Sequence, residues 1–508
     1  MCKKCYVTTP IYYASGKVQI GNSYTTVACD VYARFNRQMN RKTFYLTGMD
    51  EHGQKIEEAA KLAGVTPQEH VDRVAKETND LWHTMKISHD YFVRTTSEEH
   101  KKVVRRVLQD LFDRGLIIKK SYEGLYCEGC EQFKKKCDLT EDGLCPDHLK
   151  APKVISEENY FFRLEPYRQW LKEYIALNPD WITPTNYAKE VLGMLEEPLD
   201  DLCISRPKDR VWLGIELPFD ADFVTYIWFD ALINYISTLK FGENEDFASY
   251  WKNSYHLLAK DILKPHCIYW PIMLKAIGID PVSRCIVHGY WIGEGGVKMS
   301  KSLGNVVDPN EVIDIMGVEP LRFYLINNMS LSNDSPISIA LLRQGYKLLA
   351  NNLGNLQMRV LKMVDKNLQG TIPSDVALLP EDEKVLTDIS AEFNAVYKKD
   401  SSLETAVELA SKIMTACNQV NAYFAANEPW VLAKNPEKME RFKQVVYTTL
   451  DALRLIATAL YPLMPNSSKS ILETLDVKED KVEALFEAKA LGEGKITVPN
   501  PLFPFLPE

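Results

Sequence analysis

The sequence predicts an α/β fold, a parallel sheet interrupted by a small inserted module and followed by an all-α domain. Three observations predict it. The first fifty residues run strand, glycine-containing loop, helix, strand. Residues 122–153 break into short charged and cysteine-bearing pieces. Beyond about Pro336, strand signals give way to long amphipathic stretches. Cys5 to Thr9 is β-branched and aromatic, the composition of a strand. Gly16 and Gly21 flank an expected turn, and Asn22 to Met39 carries Val27, Val31 and Phe35 at helical spacing. Phe44 to Thr47 is the next strand, closed by Gly48. A βαβ unit of this kind implies parallel pairing, with a ligand site at the carboxyl ends of the strands. Thr66, Pro67 and Glu69 then form a capping box with proline in the first turn. The helix they open has an apolar face of Val71, Val74, Ala75, Leu81 and Trp82. After the insertion, Val224–Phe229, Tyr255–Ala259 and Arg284–Val287 are expected to finish the sheet. Helices follow at Leu341–Val364, Glu381–Tyr397, Leu403–Ala426 and Glu440–Leu460, as a bundle. The tail from Pro499 to Glu508 is expected to pack back as extended chain. The chain therefore divides at 1–114, 115–215 (with the cysteine-bearing module at 122–153), 216–335 and 336–508.

Composition narrows the class. With 508 residues, 46% hydrophobic and 25% charged, the chain is long enough for two to four domains, each burying its own core. The formal charge of −9 supplies no global basic field, so any RNA partner must be held by local patches and shape. The eleven cysteines include several lone ones in apolar surroundings (Cys29, Cys203, Cys267, Cys285, Cys417), the usage of a reducing compartment. No apolar run reaches the ~18 residues a membrane helix needs. A cytoplasmic protein without a signal peptide is expected.

Two constellations carry chemistry. Lys298-Met299-Ser300-Lys301-Ser302 follows Gly293-Glu294-Gly295-Gly296. Two lysines three apart on a glycine-hinged loop make a mobile cationic clamp, suited to charge developing on a phosphate; alone they would read as an exposed basic loop. The second is Cys127-x2-Cys130, fourteen residues, then Cys145-x2-His148. Two paired ligand sets at that separation suit tetrahedral zinc, closed and therefore structural. Cys137 is an alternative ligand that breaks the paired spacing. Cys2-x2-Cys5 has no partner pair.

The pentapeptide at 298–302, placed after His288 and Gly289, matches the KMSKS signature of class I aminoacyl-tRNA synthetases letter for letter, and the chain resembles their methionyl family along nearly its whole length. That family's His-Ile-Gly-His tetrapeptide is Gln19-Ile20-Gly21-Asn22 here, with both histidines replaced. Pro10 to Gly16 before it and Ser23-Tyr24-Thr25-Thr26 after it are as in the methionyl enzymes. Gln and Asn amides can still donate hydrogen bonds beside a glycine and a helix N-terminus, which is what phosphates require; alternatively the two amides merely cap the helix. The resemblance implies that Gln19, Gly21, Asn22, Lys298, Ser300 and Lys301 bind ATP. Thr47-Gly48-Met49-Asp50-Glu51-His52-Gly53 matches a further motif, in which Asp50 would hold the substrate ammonium. The run Tyr226 to Tyr235 matches another. By that match Trp228, Ala231, Leu232 and Tyr235, with Ile11, Tyr13, Ile262 and His266, line the amino-acid pocket, its aromatic walls favouring a thioether. Lys260-Asp261-Ile262 follows the family pattern with Ala259 in place of glycine, and Pro265 stands where relatives usually carry an aromatic.

Asn352 to Arg359 and Asn427-Glu428-Pro429-Trp430 resemble the anticodon-reading segments, giving Asn355, Arg359 and Trp430 that role; without the match Asn355 and Arg359 would be surface residues. Leucyl, isoleucyl and valyl relatives carry a large editing insertion, and the segment from Asp113 to Gly214 is too short for one. Cysteinyl relatives scatter their zinc ligands. The resemblance thus implies a Rossmann-like catalytic domain with a zinc-binding connective insertion and an anticodon-binding helical bundle. It implies methionine, MgATP and tRNA(Met) as substrates, one structural Zn2+ on Cys127, Cys130, Cys145 and His148, and a monomer, since the chain lacks a C-terminal dimerisation module. Two other readings stand beside it. One is a paralogue with altered amino-acid or inhibitor specificity, suggested by Gln19, Asn22 and Pro265. The other is a non-catalytic tRNA-binding protein.

Overall fold

The computed structural model describes residues 4–127, 132–134, 139–146, 149–211, 213–226, 228–296, 299, 306–399, 403–477 and 486–506. Strand β1 (Lys4–Thr8) leaves the sheet at Thr9–Ile11 and the chain re-enters as β2 (Tyr12–Tyr13). Helix α1 (Ile20–Gln38) crosses to β3 (Lys42–Asp50). Thr8 pairs with Leu46, whereas Tyr12 and Tyr13 pair with Met49 and Asp50, all in parallel. Pro10 sits in the interruption, where no ladder hydrogen bond is asked of it.

Helices α2 (Gln54–Ala63) and α3 (Pro67–Thr84), strand β4 (Tyr91–Arg94) and helix α4 (Glu98–Asp113) follow. The Thr66 capping box forms as expected, Glu69 N–H donating to Thr66 Oγ1 and Thr66 N–H to Glu69 Oε2. The predicted apolar face of α3 is buried. Two local expectations need correction. Gly21 does not flank a turn but lies inside the first turn of α1. Gly48 does not end its strand: β3 runs on to Asp50, and a Cβ on Gly48 would meet Val93 O at 2.1 Å, so the glycine lets β4 pair closely.

Within 115–215 the chain forms β5 (Ile117–Cys127), β6 (Gln132–Lys134), β7 (Lys153–Phe162), α5 (Arg168–Leu177), β8 (Ile182–Thr183), α6 (Thr185–Met194) and β9 (Leu202–Cys203). Strands β6, β5, β7 and β9 make an antiparallel sheet, while β8 joins the main one. Next come β10 (Ser205–Pro207), β11 (Glu216–Leu217) and β12 (Asp220–Thr225), a small antiparallel sheet. This overturns the strand expected at Val224–Phe229 for the main sheet: β12 ends at Thr225 and helix α7 (Trp228–Ser237) takes over. A short apolar run does not distinguish strand from buried helix, and Phe229, Leu232, Ile233 and Ile236 lie at helical spacing and are buried.

The remaining elements of the α/β part are α8 (Phe247–Trp251), β13 (Ser254–Ala259), α9 (Trp270–Ile277), β14 (Arg284–His288), β15 (Trp291–Ile292), α10 (Pro309–Met316), α11 (Val318–Asn328) and β16 (Ser335–Pro336). Among the described residues the main sheet has seven strands, in the order β2-β3-β1-β13-β14-β8, with β4 on β3. Its pairings are parallel throughout. Strand order reverses direction at β1, between β3 and β13, and crevices for ligands form at the carboxyl ends of strands around such a point.

The bundle comprises α12 (Ile339–Leu349), α13 (Asn355–Leu368), α14 (Pro380–Lys398), α15 (Leu403–Ala426), α16 (Pro429–Leu432), α17 (Met439–Leu460) and α18 (Pro465–Thr474). The helix expected over Leu341–Val364 is two helices joined by a π-helical turn, Ala350–Gly354. The tail packs at the break. Phe503 packs on Gly354, where a Cβ would come within 2.9 Å of its ring, and the Tyr346 hydroxyl donates to Pro504 O at 2.5 Å. No helix among the described residues is long and apolar enough to cross a membrane.

Candidate functional site

The first helix turn after β2 presents the candidate phosphate groups. Gln19 is the N-cap of α1, in extended conformation, and its N–H donates to Asn22 Oδ1 at 3.1 Å. Asn22 therefore does cap the helix, and this fixes its amide with the oxygen inward and the NH2 group left as donor. Nothing lies within 4 Å of the position a Cβ on Gly21 would take. The fold's own packing does not need that glycine; a ligand approaching the helix N-terminus closely would. One turn on, Thr25 Oγ1 lies 2.9 Å from His288 Nε2, at the end of β14.

Lys298, Ser300 and Lys301 lie outside the described residues. Around them, Gly295 and Gly296 hold φ of 75° and 81°, Met299 packs partly buried against the core, and β15 pairs with β16. Lys260 ion-pairs with Asp334 at 2.8 Å, and Asp334 Oδ1 also accepts from Tyr290 N–H at 2.8 Å.

Asp50 ends β3 and is buried. Ile11, Trp228, Leu232, Tyr235 and Ile262 share one apolar cluster, and Ala231 is buried on the same helix as three of them. Tyr13 packs on a smaller cluster with Tyr126, Val211, Val224 and Tyr226; Trp228 touches both clusters. His266 closes this wall. Its Nδ1 lies 2.9 Å from Ile262 O, which only a donor can face, so Nε2 accepts from the Tyr235 hydroxyl at 2.8 Å. Burial lowers the ring's pKa to about 4 and keeps it neutral. The Trp228 ring meets it edge-on at 5.9 Å. Pro265, in the first turn of the helical run that leads to α9, opens a π-helical turn, Pro265–Tyr269, that carries His266. The missing N–H has no acceptor to lose at a helix start.

Two features of this region were not legible as functional. His52 Nδ1 and Asp230 Oδ2 are 2.7 Å apart, both buried, and tie the end of β3 to α7. Both fall inside motif stretches, but 178 residues separate them. Arg206 is buried, with its guanidinium 3.8 Å from the ring centroid of Tyr226 and 5.0 Å from that of Tyr126. Nothing in the local sequence marks it.

In the bundle, Asn355 and Arg359 are exposed one helical turn apart on α13. The Arg359 guanidinium lies 5.5 Å from the Trp430 ring and 5.1 Å from that of Phe424. Trp430 keeps 36% of its surface exposed. Its segment is held by Arg441, which donates to Asn427 Oδ1 at 2.7 Å and to the buried Asp382 at 2.6 Å.

Of the expected zinc ligands, Cys130 and His148 lie outside the described residues. Cys127 and Cys145 are buried. Cys127 ends β5 opposite Gln132 of β6. Leu149 N–H donates to Cys145 O at 2.8 Å. Among the described residues no group of three or more metal-ligating side chains assembles. Two buried thiols nevertheless fit the donor chemistry of zinc.

Comparison with known proteins agrees with this arrangement. The family model described as "tRNA synthetases class I (M)" matches residues 5–153 and 137–361, and that of the "Anticodon binding domain of methionyl tRNA ligase" matches 372–506. The chain is 40% identical to the methionine–tRNA ligase of Clostridium perfringens, over 99% of this chain and 78% of that protein. It is also 40% identical to that of Deinococcus radiodurans, over 93% and 70%. A solved structure of Mycobacterium tuberculosis methionyl-tRNA synthetase in complex with methionyl-adenylate superposes with a TM-score of 0.93, at 32% identity, covering 99% of this chain and all of that one. The chain belongs to the methionyl-tRNA synthetases of class I, ligases that form an aminoacyl-tRNA.

Proposed function

We propose that this enzyme activates methionine with MgATP to methionyl-adenylate and transfers the methionyl group to tRNA(Met). The observation that carries the proposal is what lies beyond the carboxyl ends of β2, β3 and β13: the α1 N-terminus, Asp50, and, on and against α7, the wall of Trp228, Leu232, Tyr235, Ile262 and His266. The substrate carboxylate is itself the nucleophile, so catalysis is positioning and electrostatics. Asp50 holds the ammonium, while Ile11, Tyr13, Ala231 and the wall residues surround the thioether. Gln19, Gly21 and Asn22 bind phosphates; Lys298, Ser300 and Lys301 offset charge developing on the α-phosphate. Asn355, Arg359 and Trp430 read the anticodon by polar contacts and stacking.

The same reading gives one structural zinc on Cys127, Cys130, Cys145 and His148, and a monomeric cytoplasmic enzyme. The test is ATP–pyrophosphate exchange with each of the twenty amino acids. Exchange driven by methionine alone is expected; exchange driven by another amino acid, or by none, sinks the proposal. Elemental analysis of the purified chain should find one zinc, lost in Cys145→Ser.

A further inference from the structure

Helix α1 carries the turn proposed to bind phosphate, and its first two turns are fastened from two sides. One side holds it to the sheet by hydroxyls: Tyr45 donates to Thr26 O at 2.8 Å, the hydroxyls of Tyr12 and Thr26 meet at 2.8 Å, and Tyr12 also lies 3.2 Å from Asn22 O. The other side is fastened to the end of β14, where Thr25 Oγ1 lies 2.9 Å from His288 Nε2. Thr25 Oγ1 also lies 3.2 Å from Gly21 O, so one hydroxyl faces both His288 and the first turn of the helix. His288 Nδ1 lies 2.8 Å from Gly289 O, a carbonyl that can only accept, so the neutral ring carries its proton on Nδ1. Nε2 is then an acceptor, and the Thr25 hydroxyl donates to it. Burial pushes the ring's pKa down to about 4, so this tautomer persists across the neutral range. The Tyr24 ring meets His288 edge-on at 4.7 Å and Trp291 at 6.0 Å, setting the imidazole plane.

We propose that His288 is a positioning residue for ATP, acting through Thr25 to set the height and angle of the Gln19–Asn22 turn. The inference rests on that turn binding phosphate. It assigns a role to two side chains that do not touch the substrate: the histidine at the end of β14 fixes a hydroxyl, and the hydroxyl fixes the helix start. Thr25 Oγ1 reaches Gly21 O one turn back, so a shift of Thr25 moves the turn that carries the Asn22 amide.

The test measures pyrophosphate exchange and separates KM for ATP from KM for methionine. Thr25→Val, which removes the hydroxyl at constant shape, and His288→Leu should each raise KM for ATP about tenfold or more, as misplaced positioning groups do, with KM for methionine unchanged. Thr25→Ser and His288→Gln, which keep a hydroxyl and a polar reach to the same point, should recover most of the loss. The Thr25→Val/His288→Leu pair should be no worse than either single change. Equal shifts in both KM values, additive losses, or no rescue would overturn the proposal. Asn22→Ala in the same assay guards the premise. If it alone raises KM for ATP, the phosphate turn stands and the positioning role falls; if it leaves KM unchanged, both fall together.

Discussion

Asn22 shows how one side chain can carry two roles that are separable by chemistry. Its oxygen caps α1 by accepting from Gln19 N–H, and its NH2 group is the donor left for phosphate. Asn22→Asp keeps the acceptor and removes the donor. Thermal stability should hold or rise slightly, since Asp caps well and a negative charge suits a helix N-terminus. KM for ATP should rise by roughly one to two orders of magnitude, the loss of about 1.5–3 kcal/mol for a hydrogen bond to a charged group. An Asp variant with normal ATP kinetics would leave capping as the whole explanation of this asparagine. His266 supplies a second measurement. Its pKa is about 4 in the folded chain against 6.5 as a free side chain, so the unfolded state binds more protons between those values. Stability should therefore fall as pH drops from about 6.5 toward 4, at up to ~1.4 kcal/mol per pH unit for this group. His266→Gln should flatten that slope in urea titrations. At this scale the sequence is a good guide wherever neighbours in the chain are neighbours in the site. It fails for His52 with Asp230, and for Arg206 between Tyr126 and Tyr226, because each is assembled from segments that only the sheet brings together.

Elements were legible in proportion to their periodicity. The helix Leu403–Ala426 and the capped helix Pro67–Thr84 lie where spacing and capping put them. The errors have particular causes. Val224–Phe229 reads as a strand because its apolar run is too short to show a helical period. Leu341–Val364 reads as one helix because no proline interrupts it and the π-helical turn continues the helical path. At the end of that turn the Phe503 ring, about 150 residues away in sequence, packs against Gly354. Phe503→Ala should therefore lower stability by about 3 kcal/mol, the scale of a buried phenyl group. It should also expose the tail to limited proteolysis, while exchange activity in the folded fraction persists. A tail equally resistant in the variant would mean that the ring does not hold it.

Across the whole molecule, one buried cation joins parts that the sequence places far apart. Arg322, on α11 and fully buried, donates to Asp30 of α1 at 2.7 Å, to Met85 O at 3.2 Å, and to Pro462 O and Leu463 O at 3.1 and 2.9 Å. The phosphate-binding helix, the end of α3 and the turn between α17 and α18 of the bundle thus meet at a single guanidinium. Asp30 completes the set with Arg34 at 2.8 Å and the Ser88 N–H and hydroxyl at 2.6 Å each. Burial alone would raise its carboxyl pKa; Arg322, Arg34 and the Ser88 donors reverse that and hold it below its usual value. A depressed carboxyl contributes stability above its unfolded value near 3.8, lost as pH falls through the folded one. Removing one member of such a group leaves a buried charge without its partner, at a cost of about 3–5 kcal/mol. Arg322→Met should show that loss in urea unfolding at pH 7, and its acid transition should move to higher pH as Asp30 loses its main counter-charge. Asp30→Asn in the same background should then recover part of the stability, because the stranded charge is gone. If the two changes simply add, the interaction between these side chains is not what fastens α1 to the bundle, and the backbone carbonyls that Arg322 caps must account for the junction instead.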